Sequence, residues 1–92
     1  DIREPLVCEG RVVGFVTPHE TRWGHRLGPI FVLPEYRGRG LVLAVYLARP
    51  ALLFCAFVSD KNPASRRLHE KAGFRNWRPG NGGWFMRREP LA

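Results

Sequence analysis

The chain has 92 residues, 45% of them hydrophobic and 25% charged, which is the composition of one ordinary globular domain spanning residues 1–92. It holds no apolar run near the ~20 residues of a membrane span and no signal-peptide pattern. Its two cysteines, Cys8 and Cys55, are too few for a disulfide framework or a cysteine metal site, so buried free thiols, no metal and a reduced, cytoplasmic setting are expected. The net charge is +7, and the excess is regional: six basic residues against five acidic in 1–45, nine against three in 46–92. Thirteen of the fifteen basic residues are Arg, whose planar fork grips phosphate. Such a balance suits an anionic partner, whether nucleic acid, an acidic protein or a phosphorylated cofactor.

The first elements are strands. Leu6–Cys8 and Val12–Thr17 are rich in β-formers and are separated by Glu9-Gly10, a hairpin signal. The stretch TRWGH, residues 21–25, reads as a loop. RLGPIFVLPE follows as a third strand, closed by Pro34, with a bulge or entry point predicted at Gly28-Pro29 because Pro cannot donate to a ladder. LVLAVYLAR, from Leu41 to Arg49, has the length of a helix bounded by Pro50. ALLFCAFV, residues 51–58, is uninterrupted apolar sequence and predicts a strand buried on both faces. In SDKNPASRRLHEKAGF, Asn62 is a good N-cap, Pro63 suits the first helical position and Gly73 the left-handed residue past the end. Ala64, Leu68 and Ala72 form its expected buried stripe, with Asn62, Ser65 and His69 on an opposing polar face. FRNWRPGNGGWFMRRE reads as a closing hairpin around Pro79–Gly83. The predicted order is β-β-β-α-β-α-β-β, an α/β fold with a mixed sheet in which the strands within residues 30–58 form a parallel pair.

Two places in this order can carry chemistry. Between the third strand and the first helix lies Tyr36-Arg37-Gly38-Arg39-Gly40. Glycines let a backbone approach a ligand closely, and a helix start offers unpaired N–H groups, so the turn is either a phosphate cradle or a solvated basic turn. The second place is the polar face of the 62–74 helix, where Arg67 and Lys71 are like charges at i, i+4, an unfavourable pairing unless an anion sits nearby.

Taken together, FVLPEYRGRGLV and NPASRRLHEKAGF resemble motifs A and B of the GNAT superfamily of N-acetyltransferases, over roughly residues 28 to 75. The resemblance implies acetyl-CoA as cofactor, bound in a V-shaped opening between strands at about Ile30–Leu33 and Leu52–Val58. It implies that main-chain groups of Phe31, Val32 and Leu33 hold the acetyl carbonyl and pantetheine arm. The family's pyrophosphate signature, Gln/Arg-x-x-Gly-x-Gly/Ala, maps onto Arg37, Gly38, Arg39, Gly40, Leu41 and Val42, with Val42 in the last small-residue position. Asn62 matches the Asn that contacts the pantetheine arm, and Ser65 and Arg67 stand beside it. His69 falls where many members carry a Tyr proposed as general acid, and Leu68-His69-Glu70 resembles the phosphinothricin acetyltransferase branch. The implied reaction is direct attack of an amine on the thioester. Candidate bases for the amine are Glu20 first, then His19, His25 and Asp60; Cys55 is not expected to be a nucleophile.

The resemblance has gaps. Only 21 residues separate Gly40 from Asn62, fewer than members usually have. The family's first strand and the two helices that wall its acceptor site have no counterpart before residue 5. The expectation is an open acceptor side, a wall supplied by a second copy or partner, or a missing N-terminal piece; an open side suits a protein lysine or N-terminus better than a small molecule, and unpaired sheet edges make a homodimer plausible. The rival readings are a non-catalytic CoA-binding module of the same shape and, less favoured, a protein that binds or modifies nucleic acid.

Overall fold

The computed structural model describes residues 2–91. Strand β1 (Glu4–Cys8) and β2 (Arg11–Val16) form the predicted first hairpin, turning through Glu9 (φ 53°) and Gly10 (φ 78°). Positive φ at both central residues matches the right-handed twist of the flanking strands. The TRWGH stretch is more ordered than expected. His19–Thr21 is strand β3 and Gly24–Arg26 is strand β4, paired antiparallel across Arg22-Trp23. The Thr21 hydroxyl closes this turn by donating to the Gly24 carbonyl at 2.7 Å, a short-range bond that supplies order where apolar periodicity is absent.

The predicted third strand divides at Gly28-Pro29. Before that point only Arg26 is strand, as the end of β4, most of which comes from the expected loop; after it lies β5 (Phe31–Val32), followed by a single helical turn at Pro34–Tyr36. The halves belong to different sheets. One has the order β1-β2-β5; the other is β3-β4-β6-β8-β7, with β6 at Phe54–Ser59, β7 at Arg75–Gly80 and β8 at Gly83–Arg88. A hydrogen bond from Thr17 N–H to the Leu27 carbonyl, 2.9 Å, ties the two sheets at the point where they part. The expected parallel pair is therefore real but sits upstream of its predicted place: His25 pairs with Phe54, while Phe31–Val32 pairs with β2. Pro29 contributes no N–H, and past it the strand swings away from β6.

Helix α1 (Leu41–Leu47) and helix α2 (Pro63–Lys71) follow as predicted, and no described helix is long and apolar enough to cross a membrane. The core lies between these helices and the sheets and includes Leu6, Val16, Val42, Tyr46, Phe54, Val58, Phe74 and Met86. The buried stripe of α2 differs from the expected one. Ala64 is exposed and Leu68 half-buried, whereas His69 and Ala72 are buried. Nine residues with few apolar side chains define a helical phase poorly, and a hydrogen-bond partner for His69 in the core rotates the face inward.

Three further corrections follow from packing. β6 is not covered on both faces: Phe54 and Val58 face the helices, but Phe57 is 37% exposed on the other side. Cys8 is only half-buried, while Cys55 is buried; both are free thiols. The last hairpin turns on Asn81-Gly82 alone, and Pro79 and Gly80 lie within β7, which as an edge strand tolerates Pro.

Arg88, fully buried, holds the end of α1. Its guanidinium donates to the carbonyls of Tyr46, Arg49 and Leu52 and stacks over Phe54 with its guanidinium carbon 4.9 Å from the ring centre. The Tyr46 and Arg49 carbonyls also accept from the Arg49 and Leu52 N–H groups, so Arg88 is a second donor that ties the helix end to the following turn. Arg49, at the same helix end, forms a 2.6 Å ion pair with Glu4 and so fixes α1 to β1.

Candidate active site

Because β5 pairs with β2 and β4 with β6, a gap opens between β5 and β6 past Pro29. Both helices begin where these strands end, so the 37–40 turn and Asn62 flank the same gap. The carboxyl ends of parallel strands are where open α/β sheets place ligands.

The register decides which main-chain groups face the gap. Leu33 N–H donates to the Val13 carbonyl at 2.8 Å, and Gly14 lies opposite Val32. In an antiparallel ladder bonded and non-bonded pairs alternate, so Leu33 and Phe31 spend their N–H groups on β2 while those of Val32 point away from it. The Val32 carbonyl accepts from Arg37 Nε at 3.0 Å, and its N–H is left outside the β2 ladder. Of the three residues expected to offer main-chain groups, Val32 alone aims them at the gap. Gly14 makes this close pairing possible: a Cβ there would lie 2.1 Å from the Phe31 carbonyl oxygen.

The basic turn is shaped by its glycines. Gly38 has φ 77° and Gly40, the residue before α1, has φ 76°. Neither is crowded, since a Cβ at either would meet nothing within 4 Å. They are glycines for backbone shape, and the space beside them is open. The first intrahelical bond runs from Ala44 N–H to the Gly40 carbonyl, so the N–H groups of Leu41, Val42 and Leu43 have no helical acceptor. Val42 does not crowd the turn, because its side chain is buried in the core. Arg39 packs over the Tyr36 ring at 4.7 Å and lies 3.8 Å from Glu9. Arg11 reaches the same tyrosine, 5.9 Å from its ring centre. Three arginines thus surround the turn, two of them organised by Tyr36, a residue whose role was not legible in sequence.

On the other flank, Asn62 caps α2, its Oδ1 accepting from Ser65 N–H at 3.0 Å. Arg67 is exposed and in no ion pair among the described residues. His69 is not on the surface. It is 7% exposed, and its Nδ1 lies 2.7 Å from the Ser65 carbonyl and 3.3 Å from the Ser65 hydroxyl. A carbonyl only accepts, so Nδ1 carries the proton; Nε2 then accepts from the Tyr46 hydroxyl at 3.2 Å. The ring packs edge-on to Phe74, 4.8 Å between centres. Burial pushes the His69 pKa below its ordinary 6.5, opposed by the bond to the Ser65 carbonyl, and burial raises that of Tyr46. Tyr46 went unnoticed in sequence because it sits in an apolar helix; the signal was a hydroxyl with no partner in its own element.

The structure does not gather Glu20, His19 or His25 with the turn. Glu20 pairs with His25, and His25 with Phe54, at the start of β6. His19 is exposed on β3 with its ring nitrogen 3.1 Å from the Thr17 carbonyl. Asp60 lies just past the end of β6, next to the α2 cap.

The model of the Acetyltransferase (GNAT) family matches residues 5–74. The chain belongs to the GNAT acetyltransferase family. No curated protein matches it. The match runs from β1 through α2 to Phe74, so it includes the strand split, the 37–42 turn and the Asn62–His69 helix of this GNAT protein. Acetyl transfer is the activity class that membership carries.

Proposed function

We propose that this GNAT protein transfers an acetyl group from acetyl-CoA to a primary amine by direct attack. The observation that carries the reading is the gap past Pro29, with Val32 N–H facing it and the Gly38–Gly40 turn at its mouth. The residues present fit the cofactor. The turn has its left-handed glycines, open space beside them, unpaired helix N–H groups and flanking Arg37 and Arg39. Acetyl-CoA would supply the activated thioester, with Arg37, Gly38, Arg39, Gly40, Leu41 and Val42 as its pyrophosphate loop.

The chain's own groups then have defined tasks. Val32 N–H, outside the β2 ladder, would hold the acetyl oxygen and stabilise the negative charge that grows there, the arrangement that speeds acyl transfer most. Arg37 fixes the strand by holding the Val32 carbonyl and adds charge at the loop. Asn62, Ser65 and Arg67 line the opposite flank for the pantetheine arm. His69 is the candidate proton donor for the departing thiolate: its proton is on Nδ1, so giving it up would release the bond to the Ser65 carbonyl, while Nε2 accepts from Tyr46 and could take that hydroxyl proton in exchange. Asp60 stands at the same strand end as the loop and Glu20 at the other, so comparison of Asp60→Asn with Glu20→Gln identifies the group that takes the amine proton.

The test is incubation of the protein with acetyl-CoA and three amines: a lysine peptide, a peptide with a free N-terminus and a small diamine. Thiol release that depends on the amine, with an acetylated product by mass, is expected. A second reading, a CoA-binding module without catalysis, is favoured by the full engagement of both His69 nitrogens. CoA binding with no acetylated amine would establish that reading instead.

A further inference from the structure

The five-stranded sheet carries both helices on one side, and the other side is open among the described residues. Cross-strand partners share a face of a sheet. Cys55, Arg87 and Arg75 form one such row, and Phe57, Phe85 and Arg78 the next. Phe57 and Phe85 pack edge-on with ring centres 5.1 Å apart and are 37% and 40% exposed. Gly80 and Gly83 leave room for the Phe57 ring against the hairpin, since a Cβ at either would come within 2.8 Å of it. Trp77, at the bulge of β7, has the guanidinium carbons of Arg78 and Arg87 4.7 and 5.2 Å from its ring centre. Across the sheet Trp23, 50% exposed, carries Arg22 in the same way at 4.6 Å. The two tryptophans share a shallow depression of about 510 Å³ with Arg22, Arg87 and Leu53.

We propose that this open face binds single-stranded nucleic acid, a function separate from acetyl transfer. Four arginines, Arg22, Arg75, Arg78 and Arg87, surround four aromatic rings on one sheet face. The acids at its margin are Glu20 and Glu89, the latter 3.0 Å from Arg87. A second copy of the chain would bring like charges together, so the complementary occupant is a polyanion. Two tryptophans already stacked with guanidinium groups, beside two exposed phenylalanine rings, select an occupant with π faces of its own, namely unpaired bases. A sheet face with exposed aromatics is a platform on which bases stack while arginines meet the phosphates.

Labelled oligothymidylate of about 12 nucleotides, a length within the usual range of such sites, is the probe. Fluorescence anisotropy and tryptophan quenching are followed with the intact protein. Binding is expected to quench Trp23 and Trp77 and to weaken with salt, with a log–log slope of about −2 to −3 for three or four phosphates. The double variant Phe57→Ala, Phe85→Ala is expected to bind about tenfold more weakly. If circular dichroism shows that variant unfolded, Arg75→Glu with Arg78→Glu, at exposed edge positions, gives the same reading. Absence of binding at low salt overturns the proposal. So does equal affinity for a duplex or for polyglutamate, since neither offers unpaired bases. Displacement by excess CoA overturns it too, by placing the oligonucleotide at the 37–42 turn.

Discussion

At the scale of single residues, two buried polar side chains are tied to specific partners. Arg88 satisfies three carbonyls at the end of α1 from a fully buried position. Arg88→Met keeps bulk but removes a charged donor shared by three carbonyls, two of which retain a backbone N–H, and a loss of about 1–3 kcal/mol in urea denaturation is expected. For a domain this small that is a large share of its stability. His69 is the second. The fold favours its neutral ring, so its pKa falls below the 6.5 of the unfolded chain. Below that pH the unfolded chain takes up a proton that the folded ring refuses. The contribution is thus complete above 6.5 and is lost as pH falls toward the lowered folded pKa, by at most about 1.4 kcal/mol per pH unit. Urea midpoints at about pH 7.5 and about pH 5.5 check this: the wild type should lose stability on acidification, and His69→Gln should show a shallower dependence.

At the scale of elements, the gap depends on how β5 is held. Gly14 lets β2 approach so closely that the Phe31 carbonyl sits where a Cβ would be. Gly14→Ala should push β5 off β2, cost about 1–3 kcal/mol and displace Val32 from its position over the gap. The expected result is a lower melting temperature and weakened acetyl-CoA binding, both measured calorimetrically. Much of this level was legible in sequence. Glu9-Gly10, Asn62-Pro63 and Gly73 act through local backbone chemistry, which a short stretch states completely. The split of the third strand was legible only as an irregularity at Pro29, because which strand each half joins depends on partners far along the chain. The inward turn of His69 was hidden for the same reason: its partner, Tyr46, is 23 residues away. The 37–42 turn was visible as a motif, whereas the single free N–H of Val32 required the register.

At the scale of the whole molecule, the charge excess is shared between two regions with different neighbours. Arg11, Arg37 and Arg39 gather at the turn that opens α1. Arg22, Arg75, Arg78 and Arg87 lie on the helix-free side of the five-stranded sheet, next to exposed rings. The regional count in the sequence could not separate these groups, because residues from both halves of the chain meet on that face. The central claim concerns the first group: the turn and the neighbouring strand gap form a site for acetyl-CoA. A ligand at one hundred times its Kd stabilises a folded protein by about 2.7 kcal/mol, which in a domain of this size raises the melting temperature by roughly 10–20 °C. The direct measurement is the melting temperature with and without acetyl-CoA, in the wild type and in Gly38→Ala, Gly40→Ala. The account predicts a clear rise in the wild type and a much smaller one in the variant, whose left-handed positions would carry a Cβ. No rise in the wild type at millimolar acetyl-CoA, or an equal rise in both proteins, would contradict it.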